Sequence, residues 1–280
     1  MTATAPATLD DVIAELSAHP DAQLLAGGTD FMVEVNHGGR RPTRVVSLHR
    51  VDELREWHRD GDSLVIGAGV TYAQLIRPDL ASLVPCLAQA ARTVGSPQIR
   101  NAGTLGGNLA TASPAGDTLP PLAALDAVVE LAGPAGRRTL ALDDLVVGPK
   151  RTSRSADEVI VSVRLPILRG AQEYLKVGTR NAMVISVAGV AVVIDLEGRT
   201  VRCALGSVGP VPIRATEAEG LAAERVDWDA LALLDPADAT AFGELVAQAS
   251  APIDDHRSTA AYRRHAVGVC ATRALLRCLP

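Results

Sequence analysis

The chain opens on a helical pattern. In "TLDDVIAELSAHP" the apolar residues Val12, Ile13 and Leu16 recur on one face behind two capping candidates, Thr8 and Asp10, and the pattern stops at Pro20. Short β-type runs then take over. "AQLLAGGTDFMVEVN" reads as a short strand, a Gly-Gly turn and a second apolar segment, and "TRVVSLHRV" and "DSLVIGAGVTYAQLI" continue as β-branched runs broken by glycine. A helix over "SLVPCLAQAARTV" leads into "GTLGGNLATASPAGD", residues 103–117, which is rich in glycine and small side chains and has no lysine or arginine. Beyond it, "LPPLAALDAVVELAGPAGRRTLAL" predicts a short helix and then a strand with a glycine-rich turn. The clean alternation of "ADEVIVSVRLP" predicts a strand that closes a first domain at Pro166. The remainder has a different grammar. "EYLKVGTR" and "VISVAGVAVVIDLEGRTVRCALGSVGPVPIRA" predict three antiparallel strands with a turn at Glu197-Gly198, followed by helices over 237–251 and 258–279.

Composition narrows the partners more than the fold. With 280 residues, 48 % hydrophobic and 21 % charged, the chain is expected to fold throughout. A net charge of −5 with scattered arginines offers no footprint for nucleic acid. No apolar run reaches the ~18 residues that suggest a membrane span, and the first residues lack a basic segment followed by a long apolar one. No membrane insertion and a cytoplasmic location are therefore expected. The four cysteines, Cys86, Cys203, Cys270 and Cys278, form no Cys-x-x-Cys, so no metal or iron–sulfur site is expected on this chain. Cys270 and Cys278, eight apart on a helical pattern, read as buried small hydrophobes.

The candidate chemistry lies in two glycine turns. Ala26-Gly27-Gly28-Thr29-Asp30 follows a strand but lacks Gly-x-Gly-x-x-Gly, and no Gly-x-x-x-x-Gly-Lys-Ser/Thr occurs, which disfavours a Rossmann site and a P-loop. Alone, such a Gly-Gly is an ordinary turn. Two of them about eighty residues apart, each with an Asp or Asn and a hydroxyl nearby, point to a ligand that lies between them. Exposed N–H groups at tight turns can serve a pyrophosphate without the bulk of lysine heads, and glycine supplies either positive φ or close approach.

"LLAGGTDFMVEV" together with "IRNAGTLGGNLATASPAGDTLPPLAAL" resembles the paired flavin-binding loops of the FAD-binding (medium) subunit of molybdenum hydroxylases, the xanthine dehydrogenase and carbon monoxide dehydrogenase family. "GPKRTSRSADEVIVSVRLP" is similar to the strand that closes the flavin domain. "YLKVGTRNAMVISVAGVAVVID" and "AYRRHAVGVCATRALLRCL" resemble the start and end of the family's C-terminal domain, so the likeness covers nearly the whole chain. It implies an α+β fold: a PCMH/VAO-type FAD-binding domain over 1–166, made of two α/β subdomains of about 1–58 and 59–166, then a small domain over 167–280 with a three-stranded antiparallel sheet and helices. It also implies one extended, non-covalently held FAD. By position, Leu25, Ala26, Gly27, Gly28, Thr29 and Asp30 would wrap the pyrophosphate, while Thr104, Gly106, Gly107 and Asn108 would form a second wall near the phosphates and ribityl chain. Thr111 and Ser113 would add hydroxyl contacts, and Asp117 would accept hydrogen bonds from FAD hydroxyls. Lys176 would sit near the flavin end, with Arg180 and Asn181 on a loop that influences access by an electron acceptor. Plainer roles stand beside these: Ser113 and Asp117 also suit the cap and first turn of the next helix, and Arg180-Asn181 also suits a polar turn.

Two departures bear on function. Ser153 stands where many relatives have an apolar residue near the flavin, and Thr29-Asp30 replaces the histidine-serine pair usual in the carbon monoxide branch. The "KVGTRNAMVIS" wording is more similar to purine-oxidising xanthine dehydrogenase subunits. The resemblance implies a relay, with a standalone flavin-dependent oxidoreductase of the same FAD-binding fold as the alternative. Substrate would be oxidised at molybdenum on a large molybdopterin-binding subunit, electrons would cross [2Fe–2S] clusters on a small subunit, and FAD would pass them to NAD, a quinone or oxygen. The expected assembly is a dimer of such heterotrimers, and no side chain here would be needed as general acid or base.

Overall fold

The computed structural model describes residues 1–279. Helix α1 (Leu9–Ala18) starts because the Thr8 hydroxyl accepts the N–H of Asp11, and it buries Leu9, Val12 and Leu16. That face closes a core with Val46 of the first sheet and with Val159 and Val161 of the second. The first sheet is parallel and three-stranded, in the order β1 (Thr2–Thr4), β3 (Arg44–Ser47), β2 (Gln23–Leu25).

After Gly27-Gly28 the second apolar segment is helix α2 (Phe31–Asn36). Its apolar residues do not alternate, and the turn is wound from the start by Met32 N–H to the Gly28 carbonyl at 2.9 Å and Glu34 N–H to that of Asp30 at 3.1 Å. None of its residues is buried, and Met32 and Val33 are 46 % and 52 % exposed.

A five-stranded antiparallel sheet forms the second subdomain, in the order β4 (Trp57–Asp60), β5 (Ser63–Gly67), β8 (Val159–Pro166), β6 (Val128–Gly133), β7 (Gly136–Ala141). Trp57 already pairs with Ile66, so the chain changes sheets just before residue 57. Central β8 sets Val163 against Ile66 on one side and Val129 on the other. Helices α3 (Pro85–Thr93), α4 (Pro97–Ala102), α5 (Leu105–Thr111) and α6 (Leu119–Ala124) lie between β5 and β6 in sequence, and Leu87, Leu105, Leu109 and Leu122 join Leu64, Ile66 and Val129 in one core.

The C-terminal domain has three long antiparallel strands, β9 (Gln172–Gly178), β10 (Ser186–Asp195) and β11 (Thr200–Gly206). A two-residue edge strand, β12 (Ile213–Arg214), extends the sheet to four, because Ile213 and Arg214 register on Leu205 and Ala204. Helices α7 (Thr216–Glu224), α8 (Ala237–Ala249) and α9 (Ala260–Cys278) cover one face. All ten residues of β10 are buried. Ala188, Val190, Val192 and Ile194 enter the core under these helices, whereas Ala191 and Val193 enter the core of the flavin-side domain. Between Ser186 and Asp195 the strand therefore carries no polar side chain, and the two domains share packed surface. The four cysteines are all buried and free, and burial pushes the Cys278 thiol up to about 12.

Candidate functional site

A cleft of about 1050 Å³ runs between the two subdomains, with both glycine loops on its walls. It is at the upper end of the roughly 300–1,000 Å³ typical of small-molecule sites. The loops meet through backbone: a Cβ on Gly27 would lie 1.7 Å from the Ala102 carbonyl oxygen. Gly28 has φ +73°, which makes the turn left-handed. The second loop differs from the turn that its sequence suggests. Residues 105–111 are helical, Gly106 and Gly107 have no positive φ, and Thr104 caps the helix by accepting the Gly107 N–H at 3.0 Å. Gly106 is needed for close approach instead, since its Cβ would come within 2.5 Å of the Ala68 side chain.

Ala26, Gly27, Gly28, Thr29, Asp30, Thr104, Gly106, Gly107, Asn108 and Thr111 all line the cleft. The Thr111 hydroxyl donates to Asp30 at 3.3 Å and ties the loops together, while Asn108 Oδ1 accepts from Thr118 at 2.6 Å. Leu25 lies beneath the turn in β2, opposite Ser47. The sequence reading missed Gly69, Thr71 and Tyr72, which line the same cleft; Tyr72 N–H donates to the Gly103 carbonyl at 3.1 Å. It also missed the charge. Arg40, Arg41, Arg55, Lys150 and Arg154 line the cleft against two carboxylates, Asp30 and Glu34, an excess of positive charge in a chain of net −5. These cations come from four stretches of sequence, and only the fold gathers them.

Asp117 and Lys176 lie elsewhere, paired with each other at 2.7 Å with both side chains at least nine-tenths buried. Asp117 also accepts the Tyr174 hydroxyl at 3.0 Å, the Ser186 hydroxyl, and the Thr93 hydroxyl at 3.5 Å. Lys176 Nζ completes its donors on the carbonyls of Thr93 and Val184, each at 3.2 Å. Burial, with the Asp117 charge behind it, holds the Tyr174 hydroxyl well above the usual tyrosine range, so it stays a donor. Lys176 borders a second cavity of about 880 Å³, which Arg92, Arg100, Arg180, Asn181 and Met183 also line. Helix α4 contributes to both linings, with Arg100 on the second and Ala102 on the first. Ser113 Oγ accepts the Ala115 N–H at 3.3 Å, and the following helix has no side-chain cap. Ser153 is exposed, donates to the Asp144 carbonyl at 2.6 Å and lines neither cavity.

Residues 1–168 match the FAD binding domain in molybdopterin dehydrogenase, and residues 173–278 the CO dehydrogenase flavoprotein C-terminal domain. The chain belongs to the FAD-binding subunits of the molybdenum hydroxylase family. It is 33 % identical over 270 residues to the xanthine dehydrogenase FAD-binding subunit of Escherichia coli O157:H7, covering 93 % of this chain and 90 % of that one. It is 35 % identical to the carbon monoxide dehydrogenase medium chain of Hydrogenophaga pseudoflava, over 75 % of each. The crystal structure of quinoline 2-oxidoreductase from Pseudomonas putida 86 superposes with a TM-score of 0.90 at 28 % identity, covering 99 % of this chain and 96 % of that one. The flavin subunit's residues fit FAD on their own chemistry: a long cleft, a turn in which Gly27 leaves no room for a Cβ beside Ala102 and Gly28 takes a positive φ, and surplus cations for a diphosphate. Among the described residues no helix is long and apolar enough to cross a membrane.

Proposed function

We propose that this chain holds one FAD non-covalently across the cleft and the second cavity, and relays electrons from [2Fe–2S] clusters on a partner subunit to an external acceptor. The observation that carries this reading is that both glycine loops border one long, cation-rich cleft. Bound there, FAD supplies the ability to take electrons singly and release them as a pair. The backbone over 26–30 and the segment Thr104–Asn108 hold the pyrophosphate, with Leu25 supporting the turn and Arg40, Lys150 and Arg154 offsetting its charge. Thr111 adds a hydroxyl contact from the cleft wall, Ser113 lies on the 113–117 loop outside both linings, and Asp117, which lines neither cavity, acts through its pairing with Lys176 to orient the flavin end. The loop with Arg180 and Asn181 borders the space where an acceptor arrives.

The complex would join this subunit to a large molybdopterin-binding subunit and a small [2Fe–2S] subunit, as a dimer of heterotrimers. A purine such as xanthine is the proposed substrate, with NAD or a quinone as acceptor. The "KVGTRNAMVIS" wording, Thr29-Asp30 in the first loop and the xanthine dehydrogenase relative support the purine; relatives of similar identity are named for carbon monoxide and quinoline. Two measurements test the proposal. Acid or heat release followed by chromatography should return FAD at one per chain, and recovery of FMN, or flavin that stays on the denatured chain, would refute the cofactor assignment. Turnover of xanthine, quinoline and carbon monoxide is then compared for this subunit alone, its partners alone and all three, with a dye, NAD and a quinone. Substrate oxidation by the flavin subunit alone would overturn the relay.

A further inference from the structure

We propose that Arg263, at the start of α9, is a positioning residue that sets the 112–117 loop and the Asp117 cluster from the C-terminal domain. This rests on the reading that the cluster orients the flavin end. Arg263 is 4 % exposed. Its Nη1 donates to the carbonyls of Val187 at 2.7 Å and Ser207 at 2.9 Å, and its Nη2 to Asp255 at 2.6 Å. The two carbonyls sit at adjoining strand ends, and each end reaches the loop by its own route. Val187 follows Ser186, whose hydroxyl donates to Asp117. Ser207 follows β11 and donates its N–H to the Pro114 carbonyl at 2.8 Å, inside the loop that leads to Asp117.

One guanidinium therefore fixes both routes. Ser207 sits at φ +63°, a left-handed conformation that a serine adopts only when its surroundings impose it, and the bond from Arg263 to its carbonyl is part of that restraint. Asp255 is itself held. Desolvation would raise its pKa, but the N–H groups of Arg257 and Ser258 and the charge and hydrogen bond of Arg263 outweigh it and lower it to about 2, so the anchor stays charged. A planar fork can serve two carbonyls and a carboxylate at once, whereas an ammonium on a flexible stem cannot keep that geometry. The flavin end is thus registered on helix α9, whose residues touch neither cavity.

The test uses the full chain with Arg263→Gln, Arg263→Lys and Asp255→Asn, and with Leu275→Ala as a control that removes buried α9 packing without touching these bonds. Amide hydrogen exchange is measured on the cofactor-free chain, and FAD dissociation and flavin midpoint potential on the reloaded one. Arg263→Gln should speed exchange over 113–117 and 186–188 by about tenfold or more, as expected for loss of charge-assisted hydrogen bonds, and leave 27–30 unchanged. FAD should bind about tenfold more weakly and its potential should shift, with Arg263→Lys and Asp255→Asn intermediate in the same direction. If Arg263→Gln fails to fold, these two variants decide the matter. Unchanged exchange at 113–117, or equal effects from Leu275→Ala at matched stability, would overturn the proposal. A wild-type chain that binds no FAD would instead sink the functional reading, while the exchange experiment would still report on Arg263.

Discussion

The two ends of the site are built from different materials. Around Gly27 and Gly106 the wall is backbone pressed on backbone or on a methyl group, with distances that leave no room for a Cβ. Around Asp117 it is a knot of largely buried side chains, Lys176, Tyr174, Ser186 and Thr93, drawn from both domains. A backbone wall suits a diphosphate, because it offers donors without side-chain entropy or the desolvation of a charged head. The side-chain knot suits the end of a cofactor whose electronic character must be set, since buried charges act strongly in a low dielectric. On the proposed reading, placement and tuning are separated in space. The first tolerates no added atom, and the second tolerates change in size better than change in charge.

The most severe break should therefore come from the backbone end. Gly27→Val places carbon against the Ala102 carbonyl oxygen, 1.7 Å from an ideal Cβ, with no flexible side chain that can yield. The expected result is no retained flavin and a loss of about 3 kcal/mol or more in stability, the upper range for overpacking. Absorbance ratios of flavin to protein and thermal melts check it. A Gly27→Val chain that stayed yellow with a native melting point would dissolve the contrast.

The same contrast decides what could be read in the sequence. Both glycine loops were legible because their signal is local: the residues that form the wall are neighbours in the chain. Even so, the reason for the glycines was only half legible. Positive φ holds at Gly28, but at Gly106 the need is for close approach to Ala68, which no local pattern shows. The Asp117 knot was not legible as a knot, since Tyr174, Lys176 and Ser186 stand 57, 59 and 69 residues away. The three long C-terminal strands were clear from their apolar runs and the Glu197-Gly198 turn, whereas β12 has two residues and exists only because β11 offers an edge. Helix α2 hid behind a strand-like composition, and with Met32 and Val33 exposed and none of its residues buried it has no buried face to announce a helix.

At the side-chain end, charge should matter more than bulk. Asp117→Ala leaves a buried ammonium and two buried hydroxyl donors without their carboxylate, which costs about 2–3 kcal/mol and weakens flavin retention. Lys176→Met alone leaves the carboxylate unpaired and should cost a comparable amount. In the double variant Asp117→Ala/Lys176→Met the charges leave together, and stability should recover by about 1 kcal/mol or more relative to the sum of the two changes, as coupled sites do. Denaturant melts of the cofactor-free chain measure the cycle. Strict additivity would mean that the pair is not coupled, and the division between placement and tuning would lose its second half.

The smallest effect concerns a place where the backbone wall borrows side-chain chemistry. Arg154 lines the cleft from a loop closed by Glu158, whose carboxylate takes Arg138 Nε at 2.6 Å and Nη2 at 2.8 Å and the Ser155 N–H at 2.7 Å. The Arg138 hydrogen bonds come first among the causes that outweigh desolvation and hold the Glu158 carboxyl at about 2, below its ordinary 4.5. Since the folded pKa is depressed, the stabilisation is fully present above pH 4.5 and fades as pH falls towards 2. Arg138 is 45 % exposed, so solvent screening keeps the contribution small. Glu158→Gln should therefore melt lower than wild type near neutrality, and the gap should close steadily between pH 4.5 and 2. A gap that stayed constant across that window would show that Glu158 acts through packing and not through its charge.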